Sequence, residues 1–395
     1  MISLLLSALA VCLGIPVAIL FAEVAAACTF SPRQSARQAG SRPRIGVLVP
    51  AHNESNGLIP TVEDLKSQLR EGDRLLVIAD NCTDDTADVA KAAGAEVLIR
   101  TNLEQIGKGY ALDWGVRHLA ADPPAIVMIV DADCRLARGA VDELAAACVA
   151  SQRPAQALYL IAAPEQSPIN YQVSEFAFLV KNKVRPLGLA AFNLPCQLMG
   201  TGMAFPWDVI RSARLASGSI VEDLKLGLEL AEAGSPALFC PSAVVTSRFP
   251  WSAEGTKSQS KRWEGGHLSM IRTTAPRFLL SALRHANASL LLLTLDMLVP
   301  PLSLLVLLLL GMFGISAAAI AFGASASAFV ISTLNILALA LAIFLSWSVF
   351  GHEVLPSTAI FSVVKHVVTK LSLYAELMWR GGASQWTRTD RKKDQ

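Results

Sequence analysis

Apolar and polar positions divide this chain into two hydrophobic ends and a patterned middle. Residues Ile2 to Ala27 carry a single charge, Glu23. About 20 apolar residues cross a bilayer core, so residues 1–27 predict a membrane anchor. A secretory signal would need a positive leading region and a shorter apolar core. Two more apolar runs, Leu290 to Ile320 and Ala326 to Phe350, predict C-terminal transmembrane helices within 288–350. The first is overlong and holds Asp296 and Pro300-Pro301, so it is expected to tilt, kink or re-enter as a short hairpin. Residues 353–380 are apolar but carry Lys365, His366 and Lys370 on or near one helical face, the pattern of a helix lying in the interface. A basic tail occupies 381–395.

The middle alternates differently. Four aliphatic or β-branched runs, IGVLVP, LLVIAD, AEVLIR and IVMIVD, are separated by stretches such as Leu58 to Leu69 and Thr83 to Ala93 with amphipathic spacing. Strands alternating with helices predict an α/β domain with a parallel sheet, here over 44–270. Ligands in such sheets bind at the carboxyl ends of the strands. Polar residues cluster there: His52-Asn53-Glu54 after the first run, Asp80-Asn81 after the second, Asp131 and Asp133 after the fourth. PAHNESNG lacks the G-x-G-x-x-G that a dinucleotide-binding oxidoreductase needs after its first strand.

Composition supports the membrane reading. Of 395 residues, 53% are hydrophobic and 17% charged, with mean hydropathy +0.45. A net charge of +2 without a long basic run argues against nucleic acid. The seven cysteines form no C-x-x-C pair, so neither a disulfide framework nor a zinc pattern is expected, in keeping with a reducing compartment. No Lys or Arg precedes the first span, whereas Arg33, Arg37, Arg42 and Arg44 follow it. Together with Arg388, Arg391, Lys392 and Lys393 in the tail, they orient the middle domain and the tail to the cytoplasm.

Four short signatures carry the candidate chemistry. Asp131-Ala132-Asp133 ends a buried strand, where two carboxylates are costly without a cation. They can hold Mg²⁺ or Mn²⁺, which offsets the charge of a diphosphate leaving group. Asp133 would also suit a helix cap. Asp80, in VIADNCTDD, fits an Asx turn or a helix cap equally. Glu222-Asp223 opens the amphipathic stretch LKLGLEL, where a helix dipole favours carboxylates. Gln259-Ser260-Lys261-Arg262-Trp263 spaces Gln and Trp for one helical face, beside a cation; an interfacial Trp is the plainer account.

In this order the four signatures resemble those of the membrane-bound family 2 glycosyltransferases, over roughly Arg44 to Gly266 and more loosely the C-terminal third. The resemblance implies a Rossmann-like GT-A nucleotide-sugar domain and transfer of a sugar from a nucleotide-diphosphate donor to an acceptor at the membrane. It implies that Asp133 is the main metal contact and that Glu54, Asp80, Lys108 and Asp131 serve the donor nucleotide. Lys108, in GKGYAL, would offer a point charge to phosphate from a flexible loop. Asp223 would be the general base of an inverting reaction. Glu222, Gln259, Arg262 and Trp263 would meet the diphosphate or the acceptor. Gly200-Thr201-Gly202 is similar to the family's glycine-containing acceptor loop. Val221 departs from the pattern, in which Thr is frequent. His52 and His267 are expected to be structural or solvent residues.

Q-x-x-R-W accompanies polymerising synthases as well as single-addition enzymes. About three spans with few polar residues leave little to line an export pore. The expected activity is therefore one-sugar addition to a lipid-linked acceptor at the bacterial inner membrane, in exopolysaccharide or cell-surface glycan assembly, with other assembly proteins as possible partners. A processive synthase subunit, or action on a ceramide- or hopanoid-like lipid, is the alternative. A membrane nucleotidyltransferase would share the D-x-D but has no evident use for Q-x-x-R-W. A dead scaffold would be expected to have lost one of the four signatures.

Overall fold

The computed structural model describes residues 1–31 and 42–380; Arg33, Arg37 and the basic tail at 381–395, with Arg388, Arg391, Lys392 and Lys393, lie outside them. The chain opens with α1 (Ile2–Thr29). Strands β1 (Ile45–Ala51), β2 (Arg74–Asp80), β3 (Glu96–Arg100) and β4 (Ile126–Ile129) then pair in parallel in the order β3-β2-β1-β4. Helices α2 (Ile59–Lys66), α3 (Thr86–Ala92) and α4 (Lys108–Leu119) connect them. Strand β1 is apolar on both faces because both are covered. Val47 and Val49 pack with Val62 and Leu65 of α2, and Leu48 packs with Leu112, Val116 and Leu119 of α4. Helix α4 lies so close that a Cβ at Gly115 would fall 2.7 Å from Ile78.

The sheet does not stay parallel. After β5 (Arg135–Leu136) and α5 (Ala140–Ser151) come β6 (Ala155–Ala162), α6 (Ile169–Leu179), a π-helical turn at Val180–Val184, and α7 (Arg185–Ala191). They are followed by β7 (Met203–Pro206), α8 (Trp207–Ile210), α9 (Glu222–Glu232) and β8 (Leu238–Arg248). Strand β7 lies antiparallel between β4 and β6, and β8 and β5 complete one eight-stranded mixed sheet. Sequence alternation exposes the first four strands but not this half, whose strands are bordered by long irregular connections.

The C-terminal third begins with α10 (Ala253–Thr273), α11 (Ala275–Arg284) and α12 (Ala288–Met297). It continues with α13 (Leu302–Ala321), α14 (Ser327–Ser346) and α15 (Ile360–Arg380). Among the described residues, three helices are long and apolar enough to cross a membrane: Ile2–Thr29, Leu302–Ala321 and Ser327–Gly351. The overlong apolar run is divided, because Pro300-Pro301 cannot continue a helix. Its first part, α12, has 10 residues and packs Leu290, Leu293 and Met297 against Leu224 and Leu228 of α9.

The two hydrophobic ends meet. Asn335 of α14 donates to the Ala10 carbonyl of α1 at 2.9 Å. On the other side α7 approaches α1 backbone to backbone, and a Cβ at Gly188 would sit 2.0 Å from the Glu23 carbonyl oxygen. Helix α15 buries Leu373, Tyr374 and Leu377 beside Leu268 of α10 and Leu304 and Leu307 of α13. Lys370 pairs with Glu264 of α10 at 2.5 Å, so it faces inward while Lys365 stays exposed. The face on which the spacing groups Lys365, His366 and Lys370 is therefore divided, Lys370 turning to α10 and Lys365 to the outside. Arg42 and Arg44 are likewise engaged by the domain, with Asp73 and Asp142 and with Asp122 respectively.

Candidate active site

One cavity of about 290 Å³ opens at the carboxyl ends of β1, β2 and β4 and runs toward α1 and α12. All ten residues singled out from the sequence, Glu54, Asp80, Lys108, Asp131, Asp133, Glu222, Asp223, Gln259, Arg262 and Trp263, line it. Residues that stand up to 209 positions apart in the chain therefore face one space.

At the strand-end side, Asp80 is buried and receives Arg100 Nη1 at 2.6 Å. Burial raises its pKa and Arg100 opposes the rise. Arg100 also lies 5.7 Å from the centre of the Tyr110 ring. His52 lines the cavity too, its Nδ1 2.7 Å from the Asp80 carbonyl oxygen. Asp131 is fixed through its backbone, which donates to Thr201 Oγ1 at 3.0 Å. The ligating atoms of Asp131, Asp133 and Cys134 lie within 4.8 Å of one another. The two carboxylates suit a hard divalent cation. Cys134 does not, because burial pushes its thiol well above the ordinary value and keeps it protonated.

Lys108 is not on a flexible loop. It is the first residue of α4, reached through Gly107 at φ 135°. Its Nζ touches Asp131 Oδ1 at 2.5 Å and the Gly200 carbonyl at 2.7 Å. Glu222 lies at 3.9 Å. Burial would lower its pKa, but the surrounding carboxylates more than reverse this, and the ammonium stays charged.

Glu222 and Asp223 start α9, where the helix dipole tolerates them. Burial pushes Glu222 up to about 7, with Lys108 opposing and Asp223 adding to the rise. Asp223 is raised as well, chiefly by burial, while Lys108 and Lys181 hold it back. The loop facing it depends on glycine. Gly200 has φ +87°, and a Cβ there would sit 3.3 Å from Asp223 Oδ2; Gly202, at φ +62°, would clash with Ala157 and Val245. Gln156 secures this loop, accepting from Met199 N at 2.8 Å and donating to the Thr201 carbonyl at 3.0 Å. Val221 replaces a hydroxyl with a packing contact: a Cβ on Gly266 of α10 would meet it at 2.7 Å.

The far side of the cavity holds residues that the sequence did not single out for the site. Lys181, Asn182 and Arg185 come from the π-helical turn and α7, Gln197 from the loop after it, and Asp296 from α12. Arg185 joins Glu23 of α1 at 2.7 Å and Asp296 at 2.5 Å, and Gln197 donates to Asp296 at 2.9 Å. His267 also lines this side. Its Nε2 is 2.9 Å from the Met297 carbonyl, and burial lowers its pKa to about 4, so the ring is neutral. Trp263 leans on Phe178 with ring centres 5.9 Å apart. The signal for these positions was present as isolated charges in apolar surroundings, notably Glu23 and Asp296.

Residues 43–266 match the family described as glycosyltransferase like family 2. A 102-residue stretch is 38% identical to uncharacterized glycosyltransferases of Mycobacterium bovis and Mycobacterium tuberculosis, covering 26% of this chain. The match spans 42% of those relatives' length. Among solved structures, the mannosyltransferase PcManGT from Pyrobaculum calidifontis, in complex with GDP-Man and Mn²⁺, superposes with a TM-score of 0.56 at 16% identity. That likeness covers 95% of this chain and 99% of the other, membrane-type helices included, and shows a common fold.

Proposed function

The chain belongs to the glycosyltransferase-like family 2, and we propose that it moves one sugar from a nucleotide-diphosphate sugar to a lipid-linked acceptor at a membrane, with inversion. The observation that carries this is the single cavity. It runs from the strand ends of a GT-A type domain to residues that contact the apolar helices, so a donor and a membrane-borne acceptor can meet inside it.

Glu54 and Asp80 receive the nucleoside, with Arg100 fixing the Asp80 carboxylate. Asp131 and Asp133 would hold a divalent cation, Mg²⁺ or Mn²⁺, which would supply charge to offset that of the departing diphosphate. Lys108 supports the same end and fixes Asp131 through a direct ion pair. Asp223 takes the proton of the acceptor hydroxyl while that oxygen attacks the anomeric carbon from the face opposite the diphosphate. The bond to the diphosphate breaks as the new glycosidic bond forms, so one carboxylate suffices. The burial that raises Asp223 makes it a stronger base, while Lys108 and Lys181 favour its ionised form. Gly200 leaves room beside it for the incoming sugar. Glu222, Gln259, Arg262 and Trp263 shape the diphosphate and acceptor sides, the indole offering a flat apolar face to a sugar ring.

Three helices of spanning length support a multi-pass location, which we assign to the bacterial inner membrane with the domain in the cytoplasm. Helix α15 leaves Val364, Val368 and Leu371 exposed along one stripe, suited to the bilayer interface. Exopolysaccharide or cell-surface glycan assembly is the setting that such an acceptor implies. The test is vesicle-reconstituted protein given a panel of UDP- and GDP-sugars, with nucleoside-diphosphate release and product mass both measured. The expected product is the acceptor plus one sugar whatever the donor excess. A ladder of long products from this chain alone would replace the single-addition reading with the polymerase one.

A further inference from the structure

Lys108 and Arg185 both line the cavity and both close directly on carboxylates. Lys181 differs. Among the described residues it has no hydrogen-bond or ion-pair partner, although its side chain is accessible from the cavity. Protein nevertheless crowds it enough that desolvation lowers its pKa, with Asp223 the main charge opposing that effect.

Its position is built. Lys181 lies on the π-helical turn Val180–Val184, a rare geometry that recurs at functional sites. Asn182 anchors the turn by donating to the Tyr159 carbonyl at 3.3 Å. Val180 and Val184 bury against Val17, Leu20 and Val24 of α1. The turn is thus seated on a spanning helix while Lys181 enters the cavity.

We propose that Lys181 is the binding point for an anionic group of the phosphate class on the acceptor side of the cavity, where it abuts the spanning helices. This rests on the lipid-linked acceptor reading given above. The donor end has its own cation in Lys108, Arg185 is taken by Glu23 and Asp296, and Arg262 of α10 is engaged within the protein. A flexible lysine whose role was to neutralise Asp223 would close on it, as Lys108 closes on Asp131. Lined by the cavity wall yet open to it, the ammonium has room to take up an anion, and a compact point charge with three rotatable donors suits phosphate oxygens. The phosphate can be the linker between lipid and glycan, or a free phospholipid headgroup resting beside the acceptor.

The full chain, wild type and Lys181→Gln and Lys181→Arg, is assayed with two acceptors bearing one glycan, on an alkyl phosphate and on a neutral alkyl chain. Lys181→Gln should raise KM about tenfold for the phosphate acceptor alone, the usual worth of one charge-assisted hydrogen bond. Lys181→Arg should restore most of the loss, and donor KM should not move. Binding of decyl phosphate to the protein in neutral detergent should weaken by a similar factor in Lys181→Gln, which reads the site without turnover. For a headgroup source, phosphatidylglycerol in phosphatidylcholine vesicles should inhibit the wild type and not Lys181→Gln; for a linker source, selectivity between the two acceptors persists in pure phosphatidylcholine. An equal rise of KM on both acceptors, a raised donor KM, or decyl phosphate binding that ignores the substitution would each overturn the proposal. Transfer to the neutral acceptor reports separately on the underlying activity.

Discussion

The two ends of the cavity are built by opposite means. At the strand ends, carboxylates follow strands of the parallel half of the sheet, Asp80 steadied by Arg100 and Asp131 by Thr201 and Lys108. At the end near the long apolar helices, polar groups come from four separate elements and hold one another: Glu23 of α1, Arg185 of α7, Gln197 of a loop and Asp296 of α12. The first end is a scaffold decorated with chemistry. In the second the polar contacts are themselves the scaffold, so substitutions there should cost stability, whereas those at the strand ends should cost turnover.

The most severe break is expected at the first end. Asp133→Asn should abolish transfer and weaken cation-dependent nucleotide binding while leaving the thermal midpoint near wild type. Undiminished turnover in that variant would remove Asp133 from the cation site. Asp223→Asn should lower kcat by about 10²–10⁴, the usual worth of general-base catalysis, with donor affinity near wild type. If donor binding collapses while the chemical step survives single-turnover measurement, Asp223 is a helix-start carboxylate and nothing more.

At the second end, Arg185→Met should leave two buried carboxylates uncompensated and destabilise the protein by about 3–5 kcal/mol, read as a lower midpoint in detergent. A smaller loss for Arg185→Met than for Asp133→Asn would erase the contrast between the two ends. Glu222 tests it more finely through pH. Its folded pKa of about 7 stands above the ordinary 4.5. The folded state therefore holds a proton that the unfolded chain releases, and stability from this group is present below 4.5 and lost as pH rises to about 7. Glu222→Gln should therefore gain stability relative to wild type across that window, by at most about 3 kcal/mol. A difference that stays flat from pH 4.5 to 7 would show that Lys108 already cancels the burial effect.

Legibility followed the same division. β1, β2 and β4 could be read because both their faces are buried, so their runs are continuously apolar, and the residues after them are polar by necessity. Glu222-Asp223 and the Gln259 to Trp263 group were readable as local patterns on α9 and α10. The family resemblance, and not periodicity, joined them to the strand ends. The antiparallel β7 was not legible, since its four residues carry no alternation that distinguishes them from a loop. Lys108 was read as mobile because glycine flanks it; the carboxylates that hold it come from β4's end and α9, far away in sequence. Arg185 and Asp296 make sense only as a pair, and they are 111 positions apart.

The close seating of α1 on α7, through Gly188 and the Glu23–Arg185 pair, bears on how the molecule is made. Glu23 emerges with α1, yet its partner follows 162 residues later and Asp296 later still. Throughout that interval α1 carries an unmatched carboxyl group, which would hinder a helix of its apolar length from settling in lipid. Biogenesis should therefore be ordered from the tail, with the N-terminal helix docking only once α12 has appeared. Chains truncated after residue 287 should leave α1 loosely held and open to proteolysis near Thr29, whereas chains extending past α12 should be protected. Equal protection of the two lengths would show that α7 alone is enough to capture it.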